Sequence, residues 1–346
     1  MSSLSGFLGS ILGASSRASS ASAESSIAYS TESSIGGTLR QQFVPMNGLQ
    51  YTVDAEQRQE LLWRLRGKET KLETRDGALL DAVWCPSVAV DVSPTVMIFH
   101  GNGCILDNMS EYAQWYKDRG LNVLLVTMRG YPGSTGDAAK AGELGFYLDA
   151  ETCVRFALKM GVRRDRLFGH GYSLGGVLAA SLQFFRLPMT LDHTLVSAQA
   201  IMKHIAHQSV ALPEFITNGV ARGTFRPGIT DAISEDDRVP DSLPLVTDGL
   251  NSLEKLRKSD CSFFIMYGKN DTLMPVDFAK QFLEARCGVN PTEKDKREHL
   301  AEIPGGHWGP FMEHPDAIEQ YEQYLLANNL MDPSAIQHVV QAFHLK

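Results

Sequence analysis

Three compact apolar runs, 95–100, 122–128 and 262–268, stand out along the chain. None alternates apolar with polar residues, so each suits a strand buried on both faces of a parallel sheet. Between them, apolar positions recur at helical spacing. One such stretch is 54–67, where Asp54 is placed to cap a helix and Gly67 to stop it; others are 108–119, ended by Gly120, and 144–160. Short strands are expected at 71–75 and 78–84, joined at Asp76-Gly77, a strong hairpin dipeptide. A strand end at 166–169, further strands at 193–198 and 299–304, and helices at 276–286, 314–328 and 334–343 complete the pattern. Strands alternating with helices predict an α/β fold: a mostly parallel, twisted sheet with helices on both faces and the hairpin at one edge.

The stretch 201–252 breaks this alternation. It holds four prolines (Pro213, Pro227, Pro240, Pro244) and the acidic run Glu235-Asp236-Asp237, and it does not read as sheet. It is expected to be a cap insertion after the sixth strand. The first 34 residues contain 14 serines, so 1–42 is expected to be a disordered Ser/Ala-rich leader ahead of a domain spanning 43–346. Within it Leu4, Phe7, Leu8, Ile11 and Leu12 share one helical face, a basis for transient contact with a membrane surface. The leader lacks the basic start of a secretory signal peptide. Ser-rich, uncharged leaders resemble those of bacterial effectors exported through injection machinery. The folded part is expected to be cytoplasmic, with export into a host cell as the further expectation.

Composition narrows the function classes. The 346 residues are 43% hydrophobic and 21% charged, an ordinary globular balance. A net charge of −8 argues against a nucleic-acid partner, which selects for a basic face. Five scattered cysteines (Cys85, Cys104, Cys153, Cys261, Cys287) form no C-x-x-C pair, which argues against structural zinc and a disulfide framework and for a reducing compartment.

The candidate chemistry centres on Gly171-Tyr172-Ser173-Leu174-Gly175, a G-x-S-x-G turn between a strand end and an apolar helix that begins near Val177. A serine nucleophile needs a base to take its proton, an acid to orient that base, and two backbone N–H groups to meet the developing oxyanion. The chain offers one candidate for each role, in the order Ser, Asp, His. Ser173 follows one strand, Asp271 follows the 262–268 run, and His307 lies in Pro304-Gly305-Gly306-His307, just past the last strand. Asn102, in His100-Gly101-Asn102-Gly103, and Leu174 are placed to supply the two amides. In open parallel sheets these parts gather at the carboxyl ends of strands.

Other residues read more plainly. His100 is expected to shape the Asn102 loop, and His170 to be a packed neighbour of the turn. Arg129 and Tyr131 are expected to brace the loop after their strand. Asp277 should lie in a helix and point elsewhere. Cys104 has nothing beside it in sequence to lower its pKa. Tyr172 and Trp308 are candidates for substrate contact; Phe184 and Phe185 are acyl-pocket candidates that also fit a core. A non-catalytic scaffold that binds a partner or ligand, and an aminopeptidase using the 235–237 acids to hold an amine, are the alternatives to an acyl hydrolase.

Taken together, H-G-N-G (100–103), R-G-Y-x-G-S-x-G (129–136), G-x-S-x-G-G (171–176), G-x-x-D-x-x-x-P (268–275) and G-x-H (305–307) resemble the α/β-hydrolase superfamily. The chain is similar to members that include acyl-protein depalmitoylases, lysophospholipase-type lipases and serine-aminopeptidase-like hydrolases. The likeness covers about residues 70–330. It implies an acyl ester, thioester or lipid substrate, an acyl-enzyme intermediate, and neither a metal nor an organic cofactor. Three features depart from the pattern: Gly169-His170 before the turn, the length of 201–252, and a leader without the cysteines that anchor depalmitoylases by their own lipids.

Overall fold

The computed structural model describes residues 53–136, 138–209 and 249–334. The leader, the 210–248 part of the expected cap and nearly all of the helix expected at 334–343 lie outside the described residues.

Among the described residues one sheet holds eight strands: β1 Lys68–Glu73, β2 Leu79–Cys85, β3 Thr95–Phe99, β4 Asn122–Val126, β5 Leu167–Tyr172, β6 Met189–Asp192, β7 Phe263–Gly268 and β8 Leu300–Ile303. Their order across the sheet is β1-β2-β4-β3-β5-β6-β7-β8. β2 pairs antiparallel with both β1 and β4, and every other pairing is parallel. The hairpin sits at one edge, as expected, with Gly77 at φ +81° in its turn.

Nine α-helices are described: α1 Ala55–Leu65, α2 Ser110–Asp118, α3 Ala138–Lys159, α4 Gly175–Ser181, α5 Ala198–Ser209, α6 Ser252–Arg257, α7 Val276–Cys287, α8 Glu293–His299 and α9 Pro315–Ala327. Alternate residues of a strand face opposite sides, so the central strands feed two cores. Met97, Phe99, Leu124 and Val126 join α3, α4 and α7 on one face. Val96, Ile98, Val123 and Leu125 join α1, α2 and α9 on the other. All five residues of β3 are buried, which is why its sequence carries no alternation.

Four differences from the sequence reading stand out. The sixth strand is Met189–Asp192, not 193–198. It is only four residues long and ends in a buried aspartate, whereas the loop after it contains the strand-like Thr194-Leu195-Val196. The expected cap stretch opens with α5, and α6 lies at its return. α8 has no buried residue and hence no apolar stripe to detect. It rests on its capping box, in which Thr292 Oγ1 accepts from Asp295 N at 3.2 Å and Asp295 Oδ2 accepts from Thr292 N at 2.7 Å. At the end of α1 the left-handed position falls on Arg66, one residue before the expected Gly67.

Arg129, 1% exposed, ties the loop after β4 to its surroundings. Its Nε donates to Asp149 Oδ1 at 2.7 Å, and Nη1 and Nη2 donate to the Asp76 carboxylate. No helix among the described residues is long and apolar enough to cross a membrane.

Removing one member of a buried ion pair costs about 3–5 kcal/mol, because the other charge is left without a counterion. Arg129→Met strands the fully buried Asp149. It should lower the stability measured by urea unfolding by that amount, with activity loss following stability. An unchanged midpoint would show that the pair contributes nothing.

Candidate active site

β5 ends at Tyr172, and the next residue turns sharply: Ser173 has φ +52°, the left-handed region that costs a non-glycine residue roughly 1–2 kcal/mol. Two groups hold it there. Ser173 N donates to Asp192 O at 2.8 Å, and Thr194 Oγ1 donates to Ser173 O at 2.6 Å. Gly175, the first residue of α4, lies so close to β3 that a Cβ there would sit 2.1 Å from Phe99 O. The helix therefore starts against the central strand, with the Leu174 amide at its head.

The parallel register brings neighbouring strand ends level. Tyr172 pairs with Asp192, Asp192 with Met266, and Gly268 with Ile303. The loops beyond β5, β7 and β8 thereby bring together Ser173, Asp271 and His307, which are 5%, 7% and 7% exposed. Asp271 Oδ1 accepts from the amides of Leu273 and Met274, both at 2.8 Å. Its Oδ2 lies 2.8 Å from His307 Nδ1, and His307 Nε2 lies 3.0 Å from Ser173 Oγ. Burial pushes the Asp271 carboxyl up, but the His307 contact and the two amides more than offset this and hold it below its ordinary value. An ionised carboxylate only accepts, so His307 carries its proton on Nδ1. That leaves the Nε2 lone pair to receive the Ser173 hydroxyl.

On the other side of Ser173 runs the His100–Gly103 loop. His100 is fully buried and neutral, with burial lowering its pKa to about 4. Its Nδ1 donates to Gly101 O at 2.8 Å and its Nε2 accepts from Met128 N at 3.0 Å. A Cβ on Gly101 would lie 3.2 Å from Ser173 Cβ, so the backbone leading into Asn102 is packed against the serine. Asn102 Oδ1 accepts from Tyr131 OH at 2.6 Å, which pins that loop to the one after β4.

The remaining candidates separate. Tyr172 is buried, and its hydroxyl donates to the His307 carbonyl, so it supports the His307 loop. Trp308 is 70% exposed at the rim, its ring 5.1 Å from that of His307. Phe184 and Phe185 pack on Tyr147. Asp277 lies in α7 and pairs with Lys280. Burial raises the Cys104 thiol. His170 is buried between Tyr116 and Asp192. Apolar patterning misses Asp192, His193 and Thr194 as site neighbours, because it sets the sixth strand four residues too late. The run 235–237 lies outside the described residues.

No family model matches the chain. It is 30% identical over 187 residues to a segment of a multifunctional-autoprocessing repeats-in-toxin protein of Vibrio cholerae, covering 50% of this chain and 4% of that protein. It is 28% identical over 115 residues to protein bem46 of Schizosaccharomyces pombe, covering 32% of this chain and 38% of that protein. The chain thus matches well under two thirds of either relative's length. Among solved structures, an esterase of Pyrococcus furiosus superposes with a TM-score of 0.55 at 18% identity, over 77% of this chain and 93% of that one. At that identity the likeness speaks to the fold.

The lowered Asp271 value has a consequence for stability. A carboxyl whose pKa is depressed by folding stabilises the fold above its unfolded value of about 3.9, and that contribution is lost as pH falls through the lower folded value. The difference in urea midpoint between the parent and Asp271→Asn should therefore be largest near pH 6 and shrink toward pH 3. A gap that stays constant over this interval would contradict the linkage.

Proposed function

We propose that this chain, which has the α/β-hydrolase fold, is a serine hydrolase that cleaves an acyl ester or thioester, lipids included, through an acyl-enzyme. The observation that carries this reading is the unbroken line of contacts from Asp271 through His307, at 2.8 Å and 3.0 Å, to Ser173 Oγ.

In this mechanism Ser173 Oγ attacks the acyl carbonyl while its proton passes to His307 Nε2. Asp271, already ionised and fixed by two amides, stabilises the imidazolium that results. The negative charge on the former carbonyl oxygen is met by the backbone N–H groups of Asn102 and Leu174. Collapse of this intermediate expels the alcohol or thiol, which takes the proton from His307. Water, deprotonated by the same imidazole, then releases the acid and restores Ser173. The 201–252 stretch is assigned the role of a cap that selects the acyl group. α5 supports this role: His204 Nε2 lies 2.8 Å from Thr272 O, so the root of the insertion touches the loop that carries Asp271.

The likeness to an esterase in fold supports the hydrolase class, and the likeness to part of a bacterial toxin supports the export reading of the leader. A reporter fused behind residues 1–42 tests that second point: export-dependent delivery is expected, and a reporter retained in export-competent bacteria would refute it.

Ser173→Ala should lower kcat on short p-nitrophenyl esters by a factor on the order of 10⁶, and Asp271→Asn by about 10⁴. A fluorophosphonate should label Ser173 in the parent and nothing in Ser173→Ala. Folded Ser173→Ala protein that hydrolyses these esters at the parent rate would end this reading.

A further inference from the structure

A second aspartate–histidine pair lies behind the first. Asp192 ends β6 and is fully buried. Its Oδ1 lies 2.6 Å from His193 Nδ1 and its Oδ2 lies 3.1 Å from His170 Nε2. His170 Nδ1 in turn meets Tyr116 OH at 2.7 Å, and that hydroxyl meets Tyr321 OH at 2.5 Å. Asp192 is thus anchored from below by side chains on β5, α2 and α9.

His193 is where this network reaches the proposed site. It is 1% exposed, and its backbone takes the left-handed conformation at φ +48°, uncommon for a residue other than glycine. Its ring stands edge-on to that of His307, with centroids 5.9 Å apart at 86°. Its Nε2 is buried and has no partner at full hydrogen-bonding geometry. The Gly306 carbonyl lies near enough to that nitrogen to act on it. A Cβ on Gly268 would lie 3.0 Å from His193 Nε2 and 2.8 Å from the carbonyl oxygens of both Gly305 and Gly306. One ring nitrogen and two carbonyl acceptors therefore converge beside the glycine that ends β7. Those carbonyls belong to the two residues immediately before His307.

We infer that His193, held by Asp192, is a positioning residue for His307: it presents an Nε2–H to the Gly306 carbonyl and so fixes the turn from which the base projects. The inference rests on the Ser173 mechanism proposed above. A carboxylate at Nδ1 and the Gly306 carbonyl near Nε2 both favour a proton on each nitrogen. Burial opposes that charge, but the adjoining Asp192, with Asp271 and the Gly306 carbonyl adding to it, outweighs burial and raises the His193 pKa. Around the ring stand Asp192 immediately before it at the end of β6, Asp271 from the loop after β7, His307 from the loop after β8, and Tyr172 at the end of β5. The raised value favours a positive His193, so replacing it takes positive charge from beside the His307 ring. Tyr172 grips the same turn through the His307 carbonyl.

The test compares three substitutions in the full chain by steady-state kinetics, by pH–rate profile and by the rate of fluorophosphonate labelling, each against its melting temperature. His193→Ala should lower kcat by about 10- to 100-fold, the scale of a slightly misplaced catalytic group, with KM within about twofold. Its acid limb in kcat/KM should move to higher pH by about one unit. His193→Gln places an amide nitrogen near the lost Nε2 and should recover much of kcat. His193→Asn can reach only Asp192 and should not. If the parent protein labels and His193→Ala labels at the parent rate with an unshifted profile, the inference falls alone. If the Gln and Asn variants lose kcat only in step with their melting temperatures, His193 is merely structural and the inference also falls. If the parent itself does not label, the Ser173 reading and this inference fall together.

Discussion

A serine at φ +52° has to be held there by its neighbours, since its own backbone preference runs the other way. The surrounding chain supplies the constraints that impose this turn. The strand before it is fixed by parallel pairing to β3 and β6. The helix after it cannot retreat, because Gly175 is lodged against the Phe99 carbonyl. Its own N–H and C=O are taken by Asp192 O and Thr194 Oγ1, both from the chain at the end of β6. With all four directions fixed, the side chain alone is left to project, and it projects toward His307.

The same packing explains how so many ionisable groups are buried within a few residues of each other. Each of these carboxylates has partners within reach. Asp271 has His307 and two amides; Asp192 has two histidines; Asp149 has Arg129. A buried carboxylate without such partners would take up a proton, and its usefulness as a fixed charge would be lost. The strand-end geometry and the polar contacts therefore work together: level strand ends bring the loops together, and each carboxylate enclosed there has its hydrogen-bonding partners.

Much of this was legible in the sequence, because it is carried by residues whose chemistry is local. Unalternating apolar runs mark β3, β4 and β7. Glycines around Ser173 mark a turn that tolerates no side chain. Asp271 and His307 could be placed because each follows a strand of readable type. What escaped depends on tertiary contact. β6 is four residues long with a buried polar end, so the pattern pointed to the loop after it, and with that error the role of Asp192 and Thr194 in holding Ser173 went unseen. α8 is a surface helix kept by its cap and charge pairs, without an apolar face. Tyr172 looked available to a substrate because nothing in its neighbours reveals that its hydroxyl is spent on a carbonyl 135 residues later.

Two aspartates end adjacent regions of the sheet, each beside a histidine, and geometry decides which one can pair with His307. The loop carrying His307 leaves β8, whose only strand partner among the described residues is β7. The carboxylate it can face squarely is therefore the one beyond β7. Asp271 also has one oxygen held by amides, which aims the other at Nδ1. Asp192, one strand further in, has both oxygens engaged by His170 and His193 and no exposure. Turning it toward His307 would leave one of those imidazoles with its buried donor unmet, at a cost comparable to the bond gained. The inner carboxylate is consequently committed to its own two histidines, and Asp271 is the one left to face His307.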